Sequence, residues 1–82
     1  MFVLLLFRSL TYAQRAERAL RRFGISVSLI KAPSELTVRG CAYALRLRER
    51  DLGRTMTVLR ESAIRYDRLF RRGSSGAWEE IS

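Results

Sequence analysis

The stretch "CAYALRLR", residues 41–48, decides the fold because apolar and polar side chains alternate along its second half. Such alternation is typical of a strand with one buried face. One face is predicted to carry Cys41, Tyr43, Leu45 and Leu47, and the other Ala42, Ala44, Arg46 and Arg48. The stretch therefore predicts a strand that lies against the core with one face.

The segments on both sides of this strand predict three further strands and two helices. Continuous or alternating apolar runs predict strands over 2–8, 25–31 and 64–70. Apolar residues at helical spacing predict helices over 10–23 and 51–62, with Ser9 and Asp51 as N-caps and Gly24 as the C-terminal stop. This order predicts an α+β fold of ferredoxin-like βαββαβ type: a four-stranded antiparallel sheet with both helices on one face. The other face is expected to be solvated or to pair with a partner.

The chain of 82 residues is expected to form a single α+β domain over 1–72. The tail "GSSGAWEEIS", residues 73–82, has the composition of a linker. We therefore expect residues 73–82 to be flexible, with Trp78 loose.

The chain is strongly basic, with a net charge of +8 and only one lysine, Lys31, among its 16 basic residues. Such a charge suits nucleic acid, anionic lipid or an acidic partner. No dense basic tract is present, however, so a dispersed solvated charge is favoured and nucleic acid is the less favoured partner. The arginines expected to be exposed on different faces are Arg15, Arg18, Arg22, Arg46, Arg48 and Arg60.

Several functional classes are disfavoured by composition. Histidine is absent and Cys41 is the only cysteine, so neither an intramolecular disulfide nor Cys-His or Ser-His catalysis is available. No metal site and no cofactor are predicted. The apolar run at residues 2–7 is far shorter than the roughly 20 residues that span a membrane, and it lacks the features of a signal peptide. We expect a cytoplasmic protein without a membrane segment.

The lone Cys41 has two interpretations. A free cysteine often packs as a small apolar residue. Cys41 also lies where an irregular loop meets a strand, two residues after Arg39, and positive surroundings lower a thiol pKa and raise its reactivity. The residues alone leave both interpretations open.

Short motifs along residues 2–70 point to a known family. They are an opening strand that ends in Phe and is followed by Ser, the stretch "GISVSLI", a cysteine before an "ALR" strand, and a closing "I-x-Y". The residues concerned are Phe7, Ser9, Ala16, Glu17, Pro33, Glu35, Cys41, Ala44, Leu45, Arg46, Ile64 and Tyr66. Together they resemble the selenium/sulfur carrier-like family of small bacterial proteins. In that family the cysteine is usually followed by glycine, whereas here Ala42 follows Cys41 and Gly40 precedes it.

The resemblance implies a carrier of sulfane sulfur or selenium. Cys41 would accept the atom from a donor persulfide or selenide and pass it to an acceptor protein. Arg39 would stabilise the anion, Gly40 and Ala42 would border the thiol, and the loop from Pro33 to Gly40 would gate it. Such transfer is stoichiometric, which leaves the enzyme class open. The alternative is a non-catalytic binding module that pairs through its sheet with a partner or a second copy, with Cys41 in a structural role.

Overall fold

The described part of the chain in the computed structural model comprises residues 1–36 and 43–81. Its strands are β1 (Phe2–Phe7), β2 (Val27–Lys31), β3 (Tyr43–Arg48), β4 (Arg68–Arg72) and β5 (Trp78–Glu80). Its α-helices are α1 (Leu10–Arg22) and α2 (Leu52–Glu61). Single-turn 3-10 helices occupy Ser34–Leu36 and Glu49–Asp51.

The strands form one sheet in the order β2-β3-β1-β4-β5, and each pair of neighbours is antiparallel. This confirms the predicted α+β class with two helices and an antiparallel sheet. The predicted number of strands was wrong, because the sheet has five strands instead of four. The fifth lies within residues 73–82, which the composition predicted to be flexible.

Specific contacts hold β5 beside β4. Trp78 pairs with Arg72, whose guanidinium lies 4.7 Å from the centre of the indole ring. The carboxylate of Glu80 accepts two hydrogen bonds from Arg68, at 2.7 and 3.1 Å. With these contacts Trp78 is half-buried, whereas the composition predicted it to be loose.

The main core lies between the helices and one face of the sheet. Leu45 and Leu47 of β3 point into it, as the alternation predicted, and Tyr43 packs at its border. Both helices contribute to this cluster, and the buried side chains of α1 are Ala13, Ala16 and Leu20.

The opposite face of the sheet carries a second, smaller core. Leu6 and Leu4 of β1 are 0% and 1% exposed, and they cluster with Ala44, Phe70 and the buried Leu36. This face was expected to be solvated or to pair with a partner; around the middle of β1 it is instead covered by side chains of the same chain.

Both α-helices end in a Schellman turn, with a residue in the left-handed region after the C-cap. Gly24, with φ 76°, donates to the carbonyl of Arg21, and Ile25 donates to that of Leu20, both at 3.0 Å. After α2, Ala63 takes the equivalent position with φ 56°, and Ile64 donates to Leu59 at 2.9 Å.

The turn after α2 explains why β4 begins at Arg68 and not at residue 64 as predicted. The amide of Ile64 closes the helix, so the chain cannot join the sheet there. It is first tied to β1 at Asp67, whose amide donates to the carbonyl of Leu6 at 2.7 Å. Ile64 and Tyr66 still pack against the main core.

The N-terminus of α1 forms as predicted, since the Ser9 hydroxyl accepts a hydrogen bond from the amide of Tyr12 at 3.2 Å. Asp51 stands at the N-cap of α2, but its side chain makes no capping hydrogen bond. Among the described residues, no helix is long and apolar enough to cross a membrane.

Candidate functional site

Most of the predicted site lies outside the described residues: Cys41 with its neighbours Arg39, Gly40 and Ala42. Pro33 is described. It is partly exposed, and its carbonyl accepts a hydrogen bond from the amide of Leu36 at 2.9 Å. The structure therefore places one of the five predicted site residues.

The residues on either side of positions 37–42 are firmly anchored. Leu36 is 6% exposed and packs in the second core. Tyr43 begins β3 and pairs with Phe7 of β1 and Lys31 of β2. The end of the sheet at which β1 and β2 finish and β3 begins is therefore the place to look for a site.

An open cavity of about 590 Å³ lies where β1 ends and α1 begins. Its other wall is the connection between α2 and β4. The lining residues are Arg8, Tyr12, Ala63, Arg65, Tyr66 and Asp67. Its size is within the usual range for small-ligand sites, about 300–1,000 Å³.

The cavity is lined by two arginines and one carboxylate. Arg8 Nε lies 3.1 Å from Asp67 Oδ1, and this hydrogen-bonded salt bridge joins the end of β1 to the start of β4. Arg65 is exposed and forms no salt bridge within residues 1–36 and 43–81. The lining is thus net positive, which favours an anionic group in this cavity.

Sequence reasoning missed this cavity. Arg8 directly follows the apolar strand, and Arg65 follows the second helix. These two positions were the available signal that both arginines could lie at one end of the sheet. Recognising it required the β1–β4 pairing, because 57 positions separate the two residues in sequence (65 − 8 = 57).

The described residues offer little for metal binding. Within residues 1–36 and 43–81, no group of three or more Cys, Asp or Glu side chains is placed to hold an ion. The carboxylate in the cavity, Asp67, is already paired with Arg8.

The sequence matches a family model described as "Putative Se/S carrier protein-like" over residues 2–71. The chain belongs to this family. The Se/S carrier-like match runs from β1 to Arg71 within β4, includes all five predicted site residues and the cavity-lining residues, and stops before β5. No curated protein and no solved structure matches the chain.

Proposed function

We propose that this protein carries sulfane sulfur or selenium on the thiol of Cys41. The observation that carries the proposal is the family match, which includes Cys41 and its flanking segment. The partners are a donor and an acceptor protein, and we place the carrier in the cytoplasm.

The transfer step is a nucleophilic exchange without net oxidation. The Cys41 thiolate attacks the terminal sulfur of a donor persulfide, R–S–SH, and the donor's S–S bond breaks as the Cys41 S–S bond forms. The donor leaves as a thiolate. The proton of the transferred SH group stays on the transferred sulfur or passes to solvent. A donor perselenide reacts in the same way, whereas free selenide would need a two-electron oxidant.

The position of β3 supports this function. Cys41 precedes Tyr43, the first residue of β3, by two positions in the sequence. Tyr43 pairs with Phe7, the residue before Arg8, at the end of the sheet that carries the positive cavity. Positive charge favours the thiolate and the persulfide anion. Arg39 would add to that field, and the segment from Pro33 to Gly40 would control access.

The first four strands support a ferredoxin-like assignment, and the family match covers them as far as Arg71 of β4. In the order β2-β3-β1-β4, two helical connections join β1 to β2 and β3 to β4. We infer that this is the ferredoxin-like arrangement, extended by β5 at one edge.

Thiol chemistry tests the proposal directly, because any thiol adduct must be on Cys41, the only cysteine. The protein is treated with glutathione persulfide and its intact mass is measured. We expect a gain of one sulfur atom that is reversed by a reducing agent and is absent from Cys41→Ala. The thiol should also alkylate faster at pH 7 than a free cysteine, whose pKa is about 8.5.

Charge variants refine the test. Arg65→Gln should slow the alkylation of Cys41. Arg60 is also exposed but does not line the cavity, so Arg60→Gln should have a smaller effect on that rate. A folded protein whose thiol alkylates more slowly than free cysteine and takes up no sulfur would refute the carrier function. It would leave Cys41 as a packing residue in a binding module.

A further inference from the structure

The face of the sheet opposite the helices carries a second set of groups that the carrier function does not use. Four side chains on neighbouring strands form what we call the arginine–aromatic row: Arg46 of β3, Phe2 of β1, Arg72 of β4 and Trp78 of β5. Arg46 lies diagonally across from Phe2, which pairs directly with Arg48. Neighbouring strands lie about 4.8 Å apart, so the row spans about 14 Å. It alternates a cation and an aromatic ring.

Direct contacts hold the row together. The guanidinium of Arg46 lies 5.0 Å from the centre of the Phe2 ring, and that of Arg72 lies 4.7 Å from the centre of the Trp78 ring. Both distances are in the range of cation–π interactions. The rings remain accessible, since Phe2 is 45% exposed and Trp78 is half-buried.

The row borders an open cavity of about 430 Å³, whose far wall is the turn between β4 and β5. The charge here is positive and unneutralised. Within the described ranges, Arg46 and Arg72 form no salt bridge, and Arg48 on the same face is also exposed. The nearby carboxylate of Glu80 already forms a salt bridge with Arg68.

We propose that the arginine–aromatic row binds single-stranded nucleic acid. Exposed aromatic rings and guanidinium planes are the groups on which unpaired bases stack. Arginines beside these rings that form no salt bridge within the described ranges supply the contacts to phosphates. A base fits the cavity between Phe2 and Trp78, while Arg46 and Arg72 face the backbone.

Charge argues against a second copy of the chain as the occupant. In a twofold dimer the same patch meets itself. The positive patch of Arg46, Arg48 and Arg72 would then face an identical positive patch, and Glu80 on this face is already paired with Arg68. An acidic peptide would satisfy the charge but would make no use of the exposed Phe2 ring or of the half-buried Trp78 ring.

The row lies at the far end of the sheet from the predicted carrier site. Arg46 is near the C-terminal end of β3, whereas Cys41 precedes its N-terminal end. Arg72 and Trp78 also lie beyond the family match, which ends at residue 71. The inference is therefore independent of the carrier function, and each can fail without the other.

Trp78 provides a direct readout because it is the only tryptophan. A single-stranded oligouridylate of about 12 nucleotides lies within the usual site sizes of about 4–16. It is titrated into the intact protein at low salt while tryptophan fluorescence and anisotropy of the labelled RNA are recorded. We expect quenching of Trp78 together with binding, and an affinity that falls steeply as salt rises.

Matched variants locate the surface. Arg46→Gln with Arg72→Gln should weaken binding at least tenfold and flatten the salt dependence, whereas Arg15→Gln with Arg18→Gln removes the same charge from exposed positions of α1 and should do little. Phe2→Ala should weaken binding about tenfold. Its control is Tyr12→Ala, since Tyr12 is 50% exposed at the other end of the sheet.

Four results would overturn the proposal. The first is that the RNA does not bind at low salt, and the second is that it binds without quenching the fluorescence of Trp78. The third is that the Arg46/Arg72 and Arg15/Arg18 double variants lose equal affinity for the RNA. The fourth is that polyglutamate competes with the RNA and that Phe2→Ala does not change this competition. A dimer that dissociates in the Arg46/Arg72 variant would instead assign this face to self-association. Variants of Cys41 should leave RNA binding unchanged.

Discussion

At the scale of single residues, the two Schellman turns allow a controlled comparison. Gly24 and Ala63 occupy equivalent positions, both with positive φ, but only one of them is glycine. A left-handed conformation costs a residue with a Cβ about 1–2 kcal/mol. Nothing lies within 4 Å of a Cβ placed on Gly24, so backbone strain alone separates glycine from alanine there.

We therefore expect opposite effects from reciprocal substitutions. Gly24→Ala should lower the free energy of unfolding by about 1 kcal/mol, and Ala63→Gly should raise it by about 0.5–1 kcal/mol. Urea denaturation of both variants measures the two changes. If Ala63→Gly destabilises the protein, backbone strain is not what limits stability at this turn.

A second residue-scale feature is the buried hydroxyl of Thr55. The side chain is 0% exposed, and its oxygen has no hydrogen-bond partner within the described part of the chain. An unsatisfied buried hydroxyl costs about 1–3 kcal/mol, so Thr55→Val should stabilise the protein by about 1 kcal/mol or more. Thr57→Val is the control, because that exposed hydroxyl already bonds to the Gly53 carbonyl at 3.1 Å. Equal effects of the two variants on the melting temperature would contradict the explanation.

At the scale of elements, β5 depends on a titratable contact. Arg68 donates two hydrogen bonds to Glu80 and so holds the pKa of that carboxyl below its ordinary value. Since the folded pKa is the lower one, the pair stabilises β5 fully above the pKa of the unfolded chain, near 4.5. That stabilisation is lost as the pH falls through the lowered pKa.

We expect β5 to detach from β4 in acid before the rest of the sheet unfolds. NMR spectra between pH 6 and about 2.5 should show the amide of Ile81, which donates to the Leu69 carbonyl, losing protection first. In Arg68→Gln the same loss should no longer follow the titration of Glu80. If the amides of β1 and β5 lose protection at the same pH, β5 does not detach separately from the rest of the sheet.

Much of the element structure could be predicted because it follows from local signals. The alternation in residues 43–48, the Ser9 cap and the Gly24 stop each act within a few positions, and each appears in the structure. β5 could not be predicted in this way. Its three residues follow a Gly/Ser turn, and the contacts that fix it come from Arg68 and Arg72 on the preceding strand.

For the candidate site, too, the local features could be predicted and the features that depend on strand pairing could not. A lone cysteine beside an arginine, together with the family motifs, could be found in the sequence. The cavity between Arg8 and Arg65 and the arginine–aromatic row could not, because both depend on which strands become neighbours. The six arginines predicted to be dispersed are all exposed, three of them on α1, two on β3 and one on α2. Arg46 and Arg48, however, share their face with Phe2 and Trp78.

At the scale of the whole molecule, the sheet is packed on both faces. Leu5 lies in the helical core and Leu6 in the second core, and both are 0% exposed. Truncating a fully buried leucine costs about 2–5 kcal/mol. We expect Leu6→Ala and Leu5→Ala to destabilise the protein within this same range, as chemical denaturation can test. A nearly neutral Leu6→Ala would mean that the second core contributes little.

The pairing of β5 with β4 also bears on aggregation. Without β5, the backbone of Arg68–Arg72 would be an open sheet edge to which a strand of another molecule could add. β5 instead ends the sheet with three residues, two of them exposed glutamates, which is a poor template for further growth. The turn that carries it relies on Gly76, at φ 87°, whose amide donates to the Gly73 carbonyl. Gly76→Pro removes that donor and that conformation, so light scattering at high protein concentration should detect aggregates in this variant before they form in the unmodified chain.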